Sequence, residues 1–128
     1  MALHRLDHVL VLTDDVEATT AFYCDALGFE RGERPEMPFP GQWLYLGGAP
    51  CLHVAERAAY EANAAKLGLR AKGAAIDHVA FAAAEYESVL ERLQAAGVAA
   101  AVNAVPGGPR QVFFDDPNGV RIELNIGP

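Results

Sequence analysis

Four side chains in this chain stand in two-fold register. His8 lies in Leu6-Asp7-His8-Val9 and His78 in Ile76-Asp77-His78-Val79, 70 residues apart. His53, in Cys51-Leu52-His53-Val54, and Glu123, in Arg121-Ile122-Glu123-Leu124, are also 70 apart. In each half the second member follows the first by 45 residues. Three of the chain's four histidines thus fall in register, and the fourth matching slot holds a glutamate. Imidazole and carboxylate are ligands for divalent transition metals. The repeat points to one ion held between two similar halves. Three neutral histidines and one carboxylate leave such a site with a net charge of about +1, able to acidify a bound water or polarise a substrate oxygen. His4 is out of register and is read as a surface residue.

The elements that must position these residues also repeat. Residues 6–12 are a branched, apolar strand pattern. Thr13-Asp14-Asp15 offers a helix N-cap, with Glu17 as a capping-box partner for Asp14. A helical pattern then runs to Gly28, which suits a left-handed helix stop. Strands are expected over 29–33, 42–46 and 50–55, after a loop containing Pro35, Pro38, Phe39 and Pro40. The second half repeats this order, with strands expected over 76–82, 98–102, 111–115 and 120–126 and a helix over 85–96. Asp116-Pro117-Asn118-Gly119 reads as a tight turn.

The chain therefore reads as an α+β fold of two β-α-β-β-β repeats. They span about 4–56 and 74–127, joined by an alanine-rich connector, 57–73, with a short helix over 58–67. By length it is one domain, 1–128. Alternation along strands lets His8, His53, His78 and Glu123 face inward while their apolar neighbours pack under the helices. A buried Glu123 between Ile122 and Leu124 needs a partner.

The hydrophobic fraction of 52% fits a globular chain, and the net charge of −7 speaks against nucleic acid or an anionic membrane as partner. With no membrane-length apolar run, no secretion signal and two isolated thiols, Cys24 and Cys51, a cytoplasmic setting is expected.

Several segments resemble the vicinal oxygen chelate superfamily. They are Leu6-Asp7-His8-Val9, Ala21 to Phe29, Ile76-Asp77-His78-Val79-Ala80-Phe81 and, most specifically, Phe114-Asp115-Asp116-Pro117-Asn118-Gly119-Val120-Arg121-Ile122-Glu123-Leu124. The superfamily includes glyoxalase I, extradiol dioxygenases, fosfomycin-resistance enzymes and bleomycin-binding proteins. The resemblance implies paired βαβββ modules curling into a half-open barrel around a metal, commonly in a homodimer. It implies ligand roles for His8, His78 and Glu123, with His53 either a fourth ligand or an acid/base beside the ion. Mixed nitrogen and oxygen ligands suit Zn, Ni, Co, Fe or Mn, and the residues do not choose among them.

The motifs of particular members are missing. Leu12 stands where glutathione-dependent glyoxalases tend to carry arginine, Phe113 where extradiol enzymes carry tyrosine, and Leu10 where fosfomycin-modifying enzymes carry threonine. The expected activity is a metal-dependent, glyoxalase-like lyase or isomerase reaction on a small oxygen-chelating substrate. Glu123 or His53 would move the proton. The alternatives are a ring-cleaving dioxygenase and a drug- or metabolite-binding resistance protein without turnover. Arg121 shares Glu123's face and is a candidate for an anionic substrate group. Trp43 and Tyr45 are assigned to core packing, and Phe39 is a candidate lid aromatic.

Overall fold

The structure is a computed structural model that describes residues 5–69 and 78–127. His4 and the start of the expected strand at 76–82 lie outside the described residues. The elements are β1 (Val9–Thr13), α1 (Val16–Leu27), β2 (Glu30–Gly32), β3 (Gly41–Leu46), β4 (Ala49–Glu56), α2 (Arg57–Lys66), β5 (His78–Ala83), α3 (Tyr86–Ala95), β6 (Ala101–Ala104), β7 (Arg110–Asp115) and β8 (Arg121–Ile126). They gather into two compact units. One carries β1–β4, α2 and most of α1, and the other β5–β8 and α3.

Each unit is a four-stranded mixed sheet, ordered β1-β4-β3-β2 in the first and β5-β8-β7-β6 in the second. The first and last long strands of each repeat run parallel, and the hairpin partners run antiparallel. The register repeats as well: Leu10 stands opposite His53, and Ala80 stands opposite Glu123. This is the expected βαβββ module in both halves. The sheets are hydrogen-bonded within themselves and are not closed into a barrel.

Local chemistry explains the element ends. α1 starts at Asp15, whose Oδ1 accepts from the Ala18 amide at 2.9 Å. The cap is therefore Asp15, and no capping box forms through Asp14. Glu17 instead accepts from both terminal nitrogens of Arg31, an exposed pair of small energetic value. Asp15→Ala is expected to lower stability by about 1 kcal/mol, read from the urea midpoint at unchanged slope. Gly28 closes α1 at φ 78, its amide donating to the Cys24 carbonyl while Phe29 donates to that of Tyr23. A Cβ is disfavoured at that angle.

α1 buries Thr19, Thr20, Tyr23 and Ala26, one helical face. Beneath the sheet surface of β3 and β4, Leu44, Leu52 and Val54 are almost fully buried. Val112, Phe114, Ile122 and Leu124 do the same for β7 and β8. These are alternate strand positions, as one buried face requires.

The strand expected at 98–102 is corrected to Ala101–Ala104. The Val98 amide is still spent on the end of α3, donating to the Leu93 carbonyl at 2.9 Å. Pairing with β7 begins only at Ala101, opposite Phe113. The turn at 116–119 forms as expected. Buried Asp116 accepts from the Asn118 and Val120 amides at 2.7 and 2.9 Å, and Gly119 takes φ 82.

Candidate metal centre

In the second unit, β8 places Glu123 between β5 and β7. Its neighbours Ile122 and Leu124 are core residues, and Glu123 itself is only 9% exposed. A buried carboxylate needs compensation, and an amide ladder supplies it. Asn125 Nδ2 donates to Glu123 Oε2 at 2.7 Å, and Gln111 Nε2 lies 3.4 Å from the same oxygen. Gln111 Nε2 also donates to Asn125 Oδ1 at 3.3 Å, and Asn103 Nδ2 donates to Gln111 Oε1 at 2.9 Å. The ladder crosses β6, β7 and β8 and fixes the carboxylate's orientation.

The other oxygen, Oε1, faces His78 Nε2 at 3.4 Å. Two donors that each bind one ion at about 2.1 Å stand roughly 3–3.4 Å apart. The pair therefore has the spacing of two ligands of one ion. Its chemistry, one imidazole and one oriented carboxylate, suits the divalent metals expected from the sequence.

The first unit arranges its pair differently. His8 Nδ1 contacts Asp7 Oδ2 at 2.8 Å, and Asp7 Oδ1 meets Arg5 at 3.1 Å. The contact with His8, followed by the Arg5 charge, holds the Asp7 carboxyl below its ordinary range. An acid on Nδ1 orients a histidine that ligates through Nε2. His53 Nε2 contacts the Pro50 carbonyl at 3.0 Å.

The His8 and His53 rings are stacked, with centroids 3.8 Å apart and planes 15° from parallel. Trp43 stacks on His53 in turn, at 4.0 Å and 7°. An imidazole binds metal close to its own ring plane, so two stacked rings do not aim their lone pairs at one point. The four sequence positions are thus not alike. His78 and Glu123 converge as donors, whereas His8 and His53 meet face to face. Among the described residues, no cluster of three or more His, Cys, Asp or Glu side chains is gathered for a metal.

Burial, and secondarily the neighbouring His8, pushes the His53 pKa below its ordinary 6.5. The unfolded chain therefore takes up a proton at His53 before the folded chain does. Stability from this group is full above pH 6.5 and is lost as pH falls toward the depressed folded value. In metal-free protein, His53→Gln is expected to flatten the decline in melting temperature below pH 6.5, measured against the native chain.

Trp43 is not core packing. Its place opposite His53 in the β3–β4 register puts it in a cavity of about 350 Å³. Arg34, Met37, Phe39 and Tyr60 line the same cavity with His8 and His53. Tyr45 is half-buried and donates its hydroxyl to the Glu33 carbonyl at 2.6 Å. Arg121 is exposed at the start of β8, opposite His78 and Asp115, and borders a shallow surface cavity with residues 97–101. Cys24 and Cys51 are free thiols.

Sequence reasoning missed Gln111 and Asn125. The available signal was an amide two residues beyond Glu123, with a second amide paired to it on the facing strand. Arg34, in an irregular segment, left no such signal.

Residues 5–124 match the sequence profile of the Glyoxalase/Bleomycin resistance protein/Dioxygenase superfamily. The chain belongs to this superfamily. It is 32% identical over 126 residues to Glyoxylase I 4 of Arabidopsis thaliana, covering 95% of this chain and 70% of that protein. Its fold is similar to that of lactoylglutathione lyase from Agrobacterium tumefaciens, with a TM-score of 0.75, 21% identity, and 99% and 96% of the two chains covered. It is also similar to a variant of the fosfomycin resistance protein FosX from Listeria monocytogenes, seen with Mn(II) and 1S,2S-dihydroxypropylphosphonic acid. There the TM-score is 0.74, with 21% identity and 98% and 94% covered. No helix among the described residues is long and apolar enough to cross a membrane.

Proposed function

We propose that this superfamily member is a metal-dependent enzyme that performs lyase or isomerase chemistry on a small substrate presenting two oxygens to the ion. The observation that supports it is the His78–Glu123 pair, with donor atoms at 3.4 Å and the carboxylate locked by Asn125 and Gln111. His78 and Glu123 would hold the ion. A bound divalent ion supplies Lewis-acid polarisation of a substrate oxygen.

The chain's own groups do the rest. Asn125 and Gln111 occupy Glu123 Oε2, so any proton that this carboxylate handles is handled at Oε1. His8 is oriented by Asp7. His53 is kept uncharged by burial, as a proton acceptor must be.

The stack on His53 favours one second reading. A ring spent on stacking and on the Pro50 carbonyl is better suited to carrying protons than to a fourth ligand position. Three ligands with a histidine beside them suit a ring-cleaving dioxygenase. Protein purified without chelator and loaded with Zn, Ni, Mn or Fe separates the two. Conversion of a hemithioacetal without oxygen uptake is expected, whereas oxygen consumption with a catechol on the iron form would replace the first reading by the second. Ligand uptake with no turnover of either substrate would leave a binding protein.

A further inference from the structure

We infer that the cavity of the first unit receives the planar aromatic part of an anionic substrate, one or two rings in size, with its acidic group against Arg34. The inference deepens the proposed function and rests on it for the word substrate. The binding itself stands on the cavity.

Its walls are mostly aromatic and apolar side chains: Trp43, Phe39, Tyr60, the two stacked imidazoles, Met37 and Leu10. At about 350 Å³ it is near the small end of ligand sites. A dry cavity of ~150 Å³ admits benzene, so the space suits one or two rings.

The charges select the sign of the ligand. Two side chains charged at neutral pH line the cavity, Asp7 and Arg34. Asp7 is compensated by Arg5 and His8. Arg34 is half-buried and has no carboxylate partner among the described residues. One of its nitrogens donates to the Phe39 carbonyl at 2.8 Å, and its guanidinium carbon lies 5.4 Å from the Phe39 ring centroid. A guanidinium has five N–H donors in a planar fork that matches a carboxylate or phosphate. In a chain of net charge −7, an uncompensated cation against an aromatic wall is a place for an anion. Phe39 is itself held, since Tyr60 on α2 meets it edge-on at 5.3 Å. The wall is thus in place before a ligand arrives.

The test is calorimetry on chelator-treated protein with 2-naphthoate and its neutral isostere 2-naphthamide. One site per chain is expected, with naphthoate at least about tenfold tighter. Arg34→Gln is expected to bring naphthoate down to the amide's affinity, and Arg34→Lys to restore part of the difference. Tyr60→Ala is expected to weaken both probes alike, and it serves should Arg34→Gln not fold. Equal binding of the two probes, no binding of naphthoate at millimolar concentration, or indifference of both probes to Tyr60→Ala would overturn the inference. Because metal is absent throughout, a failed metal site leaves this result standing. A failed cavity in turn leaves the metal reading to its own assays.

Discussion

Glu123→Gln is expected to lower divalent-metal affinity by more than about a hundredfold and to remove activity with it. The substitution keeps the shape but changes what the two oxygen positions offer. If the new amide keeps its oxygen toward Asn125 Nδ2 and Gln111 Nε2, its NH₂ faces His78 and presents donors where a metal needs a lone pair. If it turns round, two amide groups meet donor to donor inside the sheet. Either way the anionic ligand is gone. Titration calorimetry with Zn, Ni or Mn reads the loss, and circular dichroism checks that the sheet persists. The ladder behind the carboxylate gives a graded companion. Gln111→Ala leaves Glu123 charged and keeps its 2.7 Å bond from Asn125, and a loss of about 10–100-fold is expected from removing an orienting contact. Unchanged affinity in both variants would show that Glu123 is a structural carboxylate.

Tyr23→Ala is expected to have the largest effect on stability, about 3–5 kcal/mol. Tyr23 is 1% exposed, the largest fully buried side chain of the first unit. It meets Phe22 and Phe29 edge-to-face at 5.3 and 5.7 Å. Its carbonyl accepts the Phe29 amide that closes the helix. Truncation therefore opens a cavity beside the motif that ends α1. Native domains hold only about 5–15 kcal/mol in total, so the variant is expected to unfold at much lower urea, with the native slope. A shift below 1 kcal/mol would mean that this face of α1 is not packed as described.

Much of the fold was legible because its signals are local. Branched apolar runs marked the strands, Gly28 marked a helix stop, and Asp116 to Gly119 marked a turn whose buried aspartate does the bonding. The two-fold spacing was legible too, and the pairings Leu10–His53 and Ala80–Glu123 are its structural counterpart. What escaped was set by neighbours in space. Trp43 was assigned to packing, yet antiparallel register sets it opposite His53, where it stacks. Alternation puts His8 and His53 on one face but says nothing of how their rings rotate. The shift of β6 followed from the helix end using the Val98 amide. The cap moved by one residue because Asp14 and Asp15 have the same chemistry, and only backbone geometry at Asp15 chooses between them.

His78 and Glu123 are proposed as ligands of one divalent ion. An anomalous-scattering crystal structure of the protein grown with Mn or Zn tests that assignment most directly. One strong peak is expected about 2.0–2.2 Å from both His78 Nε2 and Glu123 Oε1. A peak held elsewhere, or none at these atoms while they remain in contact, would contradict it.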